Sequence, residues 1–131
     1  MKIIDSNLLN EVSAQAKASP RLRMNFNFHQ SLEDKCHRML NAVEPGTDIP
    51  IHRHPDKDES FVILRGKVRS TTYNDDGSII ESVVLCAEDG VYGVVFPRMY
   101  GTNSSPLNPP PSSSNANPAR MSRMRRKGYL L

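Results

Sequence analysis

From Met24 to Phe96 the chain is a succession of short runs rich in β-branched and aromatic residues, cut at close intervals by turn residues. Met24, Phe26 and Phe28 alternate with Asn25 and Asn27, the period of a half-buried strand. Further strands are expected over about 36–43, 49–54, 59–64, 67–73, 78–85 and 90–97. Asn74-Asp75-Asp76-Gly77 has the composition of a hairpin turn between two of them, and the rest of a calcium-loop pattern is missing around Asp75 and Asp76. Near the N-terminus the period changes. Asp5 or Ser6 can cap a helix through about Ala18, with Leu8, Leu9, Val12 and Ala16 near one face and Pro20 ending it. Lys2-Ile3-Ile4 reads as a short edge strand. The expected class is all-β, a barrel or sandwich partly covered by a short N-terminal helix.

Metal chemistry is suggested by one stretch. His52, His54 and Glu59 fall within eight residues, between Gly46 and Gly66. On an extended chain, residues two apart project from the same face, so both imidazoles can point at one spot. The turn-rich Pro55-Asp56-Lys57-Asp58 segment can bring Glu59 back toward them. Two imidazoles and a carboxylate suit a divalent ion such as iron, manganese or zinc. The plainer alternative is polar surface, with Glu59 paired to Lys57 or Arg53.

Four more residues are candidate ligand contacts: Asn25, Asn27, His29 and Arg38. The asparagines either face solvent or offer hydrogen bonds to a polar ligand; the sequence does not choose the face, and the solvent face is the plainer reading. A guanidinium at Arg38 turned inward would bind carboxylate or phosphate bidentately; turned outward, it would pair with Glu44.

The stretch from Gly46 to Gly66 fits Gly-x5-His-x-His-x4-Glu-x6-Gly at every fixed position, and so resembles the first motif of the cupin superfamily. Arg23-Met24-Asn25-Phe26-Asn27-Phe28-His29, Arg38-Met39-Leu40-Asn41-Ala42, Glu44-Pro45-Gly46-Thr47, His52-Arg53-His54-Pro55 and Glu59-Ser60-Phe61 resemble the WbuC-type cupin metalloproteins in particular. The resemblance covers about residues 1–97. It implies a double-stranded β-helix (jelly-roll) barrel with one metal, of which iron, manganese, zinc and nickel are candidates, held by His52, His54, Glu59 and a later histidine. It also implies an association with bacterial surface-polysaccharide metabolism, hence an enzyme acting on a sugar or sugar-nucleotide. A homodimer is a further expectation. The alternatives are a non-catalytic metal-dependent ligand-binding or sensing cupin, and an inactive truncated product.

The later histidine is missing. Gly90 and Pro97 stand where a second cupin motif would have them, but Pro97-Arg98-Met99-Tyr100-Gly101-Thr102 replaces an ending that would resemble Pro-x-x-Val-Trp-His. No histidine follows His54. Pro, Ser and Asn then fill 14 of the 17 positions from Asn103 to Ala119, ahead of a run rich in arginine. Either this is a disordered linker with a basic tail, or the reading frame has slipped. Joining the last base of each codon to the first two of the next makes Met99/Tyr100 encode Val, while Tyr100/Gly101 permits Trp and Gly101/Thr102 permits His. In the same frame, residues 113–121 permit Phe-Glu-Cys-Lys-Pro-Gly-Pro-Tyr, which resembles the closing strand of the family. The sequence thus divides into a β domain over 1–97, with its last strands lost, and a tail over 98–131.

Charge follows that division. Residues 1–97 carry 11 Lys and Arg against all 14 acidic residues, whereas 98–131 carry the other 6 basic residues and no acid. The overall +3 therefore reflects the tail and does not point to nucleic acid. Cys36 and Cys86 fit no zinc or redox spacing and read as reduced thiols. With no signal-like apolar run and no stretch of membrane-spanning length, the expected setting is the cytoplasm, with a sugar-derived small molecule as partner and neither nucleic acid nor membrane.

Overall fold

Asp5 starts the helix as expected: its carboxylate accepts the Leu8 amide at 2.9 Å, satisfying one of the free N–H groups of the first turn. In the computed structural model, which describes residues 1–107 and the backbone of Tyr129–Leu130, helix α1 spans Ser6–Ala18. The strands follow as β1 (Arg23–Asn27), β2 (Met39–Val43), β3 (Glu59–Ile63), β4 (Val68–Tyr73), β5 (Ile79–Leu85), β6 (Gly93–Phe96), β7 (Gly101–Pro106) and β8 (Tyr129–Leu130). They form a five-stranded sheet in the order β1-β2-β8-β3-β6 and a three-stranded sheet in the order β5-β4-β7. Every pairing is antiparallel.

Alternation along β1 and β2 separates two faces. The register sets Met24 opposite Ala42, Asn25 opposite Asn41 and Phe26 opposite Leu40. The even-numbered side chains pack under α1, where Val12, Ala16, Leu40 and Ala42 are buried and Met24, Phe26 and Phe28 are partly so. Each large side chain removed from water there contributes roughly 1.5–3 kcal/mol before entropy is counted. The odd-numbered side chains turn the other way. Val43 joins Phe61, Ile63 and Phe96 of its own sheet and Val68 and Leu85 of the second in one buried cluster. The core therefore lies between the sheets, and α1 covers the back of one of them.

Several boundaries differ from the sequence expectations. Lys2-Ile3-Ile4 makes no strand, and Ile3 is 69% exposed. Residues 49–54 form no continuous strand: Pro50 supplies no N–H, Pro55 follows, and within this stretch His52 alone bridges, to Thr102. The second strand begins at Met39, because the chain before it is a loop closed by Phe28 N–H donating to Arg38 O. The sixth begins at Gly93, after a 3-10 turn over Ala87–Asp89 that ends at Gly90 with φ 80.

The ordered chain also runs past the boundary expected at residue 97. β7 pairs with β4 over its whole length, from Gly101 opposite Tyr73 to Pro106 opposite Val68. Its sequence Gly-Thr-Asn-Ser-Ser-Pro has no apolar alternation, so the strand is held by the ladder and by hydroxyl contacts such as Ser70 Oγ to Ser104 Oγ at 3.0 Å. The rest of the expected tail, including residues 113–121, lies outside the described residues apart from the backbone of β8.

Candidate metal centre

His52 is fixed by its backbone first. Its N–H donates to Thr102 O at 3.1 Å and its carbonyl accepts the Thr102 N–H at 2.7 Å. The ring is then oriented by Nδ1, 3.1 Å from Pro50 O. A carbonyl can only accept, so Nδ1 carries the proton and the lone pair is left on Nε2, the arrangement that prepares a histidine to ligate a metal.

Two residues on, the His54 carbonyl accepts the Met99 N–H at 3.0 Å, and Asp58 Oδ1 accepts the Arg98 N–H at 2.9 Å. The Pro55–Asp58 loop is thus tied at both ends to the segment between β6 and β7. Glu59 opens β3 opposite Phe96.

These three side chains converge. One donor atom from each of His52, His54 and Glu59 lies within 4.8 Å of the others, close to the ~3–4 Å that separates two ligands on one ion when each bond is about 2.0–2.2 Å. The two rings stand 5.2 Å apart and nearly perpendicular, at 89°. His54 Nε2 lies 3.5 Å from Glu59 Oε2, the outer limit of a hydrogen bond, and although the atom is buried it makes none among the described residues. A buried ring nitrogen without a partner is costly unless something else satisfies it. The donor set fits a divalent ion.

The centre opens into a cavity of about 320 Å3. Arg21, Arg23, Asn25 and Asn41 line it from the chain leading into β1 and from the odd face of β1 and β2; Thr102 and Ser104 line it from β7. Val43, Phe61 and Phe96 give it an apolar floor. Asn25 is exposed and lines the cavity, on the side of the strand that α1 leaves open.

The other proposed ligand contacts fall elsewhere. Asn27 is exposed at the far end of β1 and Arg38 is exposed before β2; neither lines the cavity. His29 is buried away from it, stacked on His37 with ring centroids 4.4 Å apart and with Nδ1 against the Arg38 backbone. Arg21, Arg23, Asn41 and Thr102 were not anticipated. Strand parity carried a signal for two of them. Once Asn25 is set inward, Arg23 follows on the same strand, and Asn41 follows across the ladder.

No curated protein and no solved structure gives a match to this chain. Residues 4–85 match the model of a protein family described as Domain of unknown function (DUF6016), a span that includes α1, the arginine and asparagine side of the cavity, and all three converging donors. The chain belongs to the DUF6016 family.

Proposed function

We propose that this chain is a small cupin-type metal protein in which His52, His54 and Glu59 hold a divalent ion, iron, manganese, zinc or nickel, beside a ligand cavity. The observation that carries the reading is the convergence of three donor atoms within 4.8 Å, two of them from His52 and Glu59, which line that cavity. The antiparallel sheets, the core between them and the match of the Gly46–Gly66 stretch to a cupin motif support a jelly-roll barrel as the parent architecture. The resemblance to WbuC-type cupins supports a sugar or sugar-nucleotide as the substrate. Bound there, the ion supplies a Lewis acid for a substrate oxygen. The protein's own part is to fix the donors through Pro50, Met99 and Thr102, and to present a wall of amides and guanidiniums to the ligand.

A second reading, a ligand-binding or sensing module without turnover, has a specific observation behind it. The titratable side chains lining the cavity are Arg21, Arg23, His52 and Glu59. Two of these are proposed metal ligands and the other two are permanent cations, so among the described residues no separate general base lines the cavity.

The test is metal content of the full chain after dialysis, beside His52→Ala, His54→Ala and Glu59→Gln. One equivalent retained by the parent and lost from each variant is the expected result. Equal metal in parent and variants would sink the reading. Turnover of a sugar-nucleotide panel by the loaded protein, set against thermal stabilisation without turnover, separates the enzyme from the sensor.

A further inference from the structure

The cavity wall facing the candidate metal centre has a chemical character of its own. Among the described residues that line the cavity, Arg21 and Arg23 supply two cationic side chains and Glu59 the one carboxylate, and a divalent ion would deepen the positive excess. Neither arginine makes an ion pair among the described residues. Arg23 is held in place by one bond, its Nη1 donating to Asp48 O at 2.9 Å, which leaves the rest of its five-donor fork without a partner among the described residues. The Arg21 side chain, which is exposed, makes no hydrogen bond there.

The amides complete the pattern. Among the described residues, Asn41 Oδ1 is buried and has no hydrogen-bond partner, and Asn25 Nδ2 reaches the Met39 sulfur at 4.0 Å. A buried acceptor left unsatisfied is costly, so a ligand hydroxyl that donates to it relieves that cost. The volume of about 320 Å3 lies at the low end of small-molecule sites and suits a monosaccharide-sized molecule.

We propose that the cavity binds a small hydroxylated oxyanion, carboxylate or phosphate, with the charged group on Arg21 and Arg23 and a hydroxyl donating to Asn41 Oδ1. The inference rests on the metal-centre reading only for a third point of attachment, an oxygen of the same ligand turned toward His52 and Glu59. Guanidiniums match both oxyanions in fork geometry, so the shared chemistry is a sugar acid or a sugar phosphate. A neutral sugar would leave both cations unpaired.

The experiment is calorimetric titration of the full-length protein, metal-loaded and metal-stripped, with D-gluconate, glucose 6-phosphate and glucose. At least one of the two anions is expected to bind the parent at least about tenfold more tightly than glucose, and the stronger of them identifies the oxyanion. Arg21→Gln and Arg23→Gln should each weaken the anion about tenfold or more, the loss expected for one charge-assisted pair, and Arg23→Lys should recover part of it. Arg21→Gln keeps the test open even if loss of the Asp48 bond unfolds the Arg23 variant. Equal affinity for glucose, or anion affinity unchanged in Arg21→Gln and in a folded Arg23→Gln, would overturn the assignment. Arginine-dependent anion binding by a protein that retains no metal would leave the anion site standing and remove the metal centre. Full metal occupancy with no anion binding would do the reverse.

Discussion

Thr102 lies directly opposite His52, and the two exchange both backbone hydrogen bonds, at 3.1 and 2.7 Å. Residues paired in this way carry their side chains on the same face, with Cα atoms about 5.5 Å apart, and both line the cavity. Thr102 is also the position, five residues after Pro97, where the resembled motif would place a histidine. Thr102→His is therefore expected to add a fourth ligand and tighten metal binding about tenfold or more. Competition against a chromophoric chelator measures it. Thr102 is buried, so the larger ring also costs about 1–3 kcal/mol of packing in the metal-free protein. Metal affinity, not melting temperature, is the readout.

The coding sequence offers an independent check on the same position. Read one base out of frame, the codons for residues 99–102 are expected to give Val-Trp-His, and those for 113–121 to give Phe-Glu-Cys-Lys-Pro-Gly-Pro-Tyr. Nucleotide sequencing decides it. A stop or unrelated residues in that frame would make threonine the native partner of His52.

Two backbone positions should respond with opposite signs. Gly77 has φ 82, and a Cβ there would meet nothing within 4 Å, so Gly77→Ala incurs the left-handed backbone cost alone, about 1–2 kcal/mol. Met99 holds φ 79 with a side chain attached. Met99→Gly should remove that cost and stabilise by up to about 1 kcal/mol after the added chain entropy. Urea midpoints at constant slope measure both, and a loss of stability in Met99→Gly would show that its side chain matters more than its backbone.

One ion pair sets a pH dependence. The Lys67 ammonium, 2.8 Å from Asp89 Oδ2, holds the Asp89 carboxyl below the usual carboxylate range; the same hydrogen bond, followed by the charge of Asp89, raises Lys67. The Asp89 contribution is present above the ordinary carboxylate range and is lost as pH falls through its lowered folded value. That of Lys67 is present below the ordinary lysine range and is lost as pH rises through its raised one. Asp89→Asn should therefore be less stable than the parent near neutral pH, by a small margin because the pair is solvated. The gap should close in strong acid, as followed by thermal melts across pH.

The parts of the fold that were legible in the sequence are those settled within a few residues. Asp5 caps the helix it precedes, Asn74–Gly77 turns between its own two strands, and His52, His54 and Glu59 sit close enough together to suggest their convergence. What was not legible depends on partners far along the chain. The inward face of Asn25 follows from α1 occupying the other side of β1, which periodicity cannot report. Arg38 has the right chemistry for an anion, yet it stands in the loop closed on Phe28, while Arg21 and Arg23 take that position through the entry to β1. β7 was missed because Thr102 and Ser104 are strand residues only by virtue of β4.

The alternation along β1 and β2 assigns unlike tasks to neighbouring residues: 24, 26, 40 and 42 hold α1, whereas 23, 25, 41 and 43 face the cavity and core. Parity thus limits which changes the two strands can accept. Point changes at the cavity-facing odd positions can alter the cavity lining while the helix stays docked. A single-residue insertion or deletion within either strand would exchange the two sets, driving Arg23 and the asparagines under α1 and Met24 and Phe26 into the ligand space. Drift in these strands should therefore proceed by substitution, and length variation should collect in the loop between His29 and Arg38.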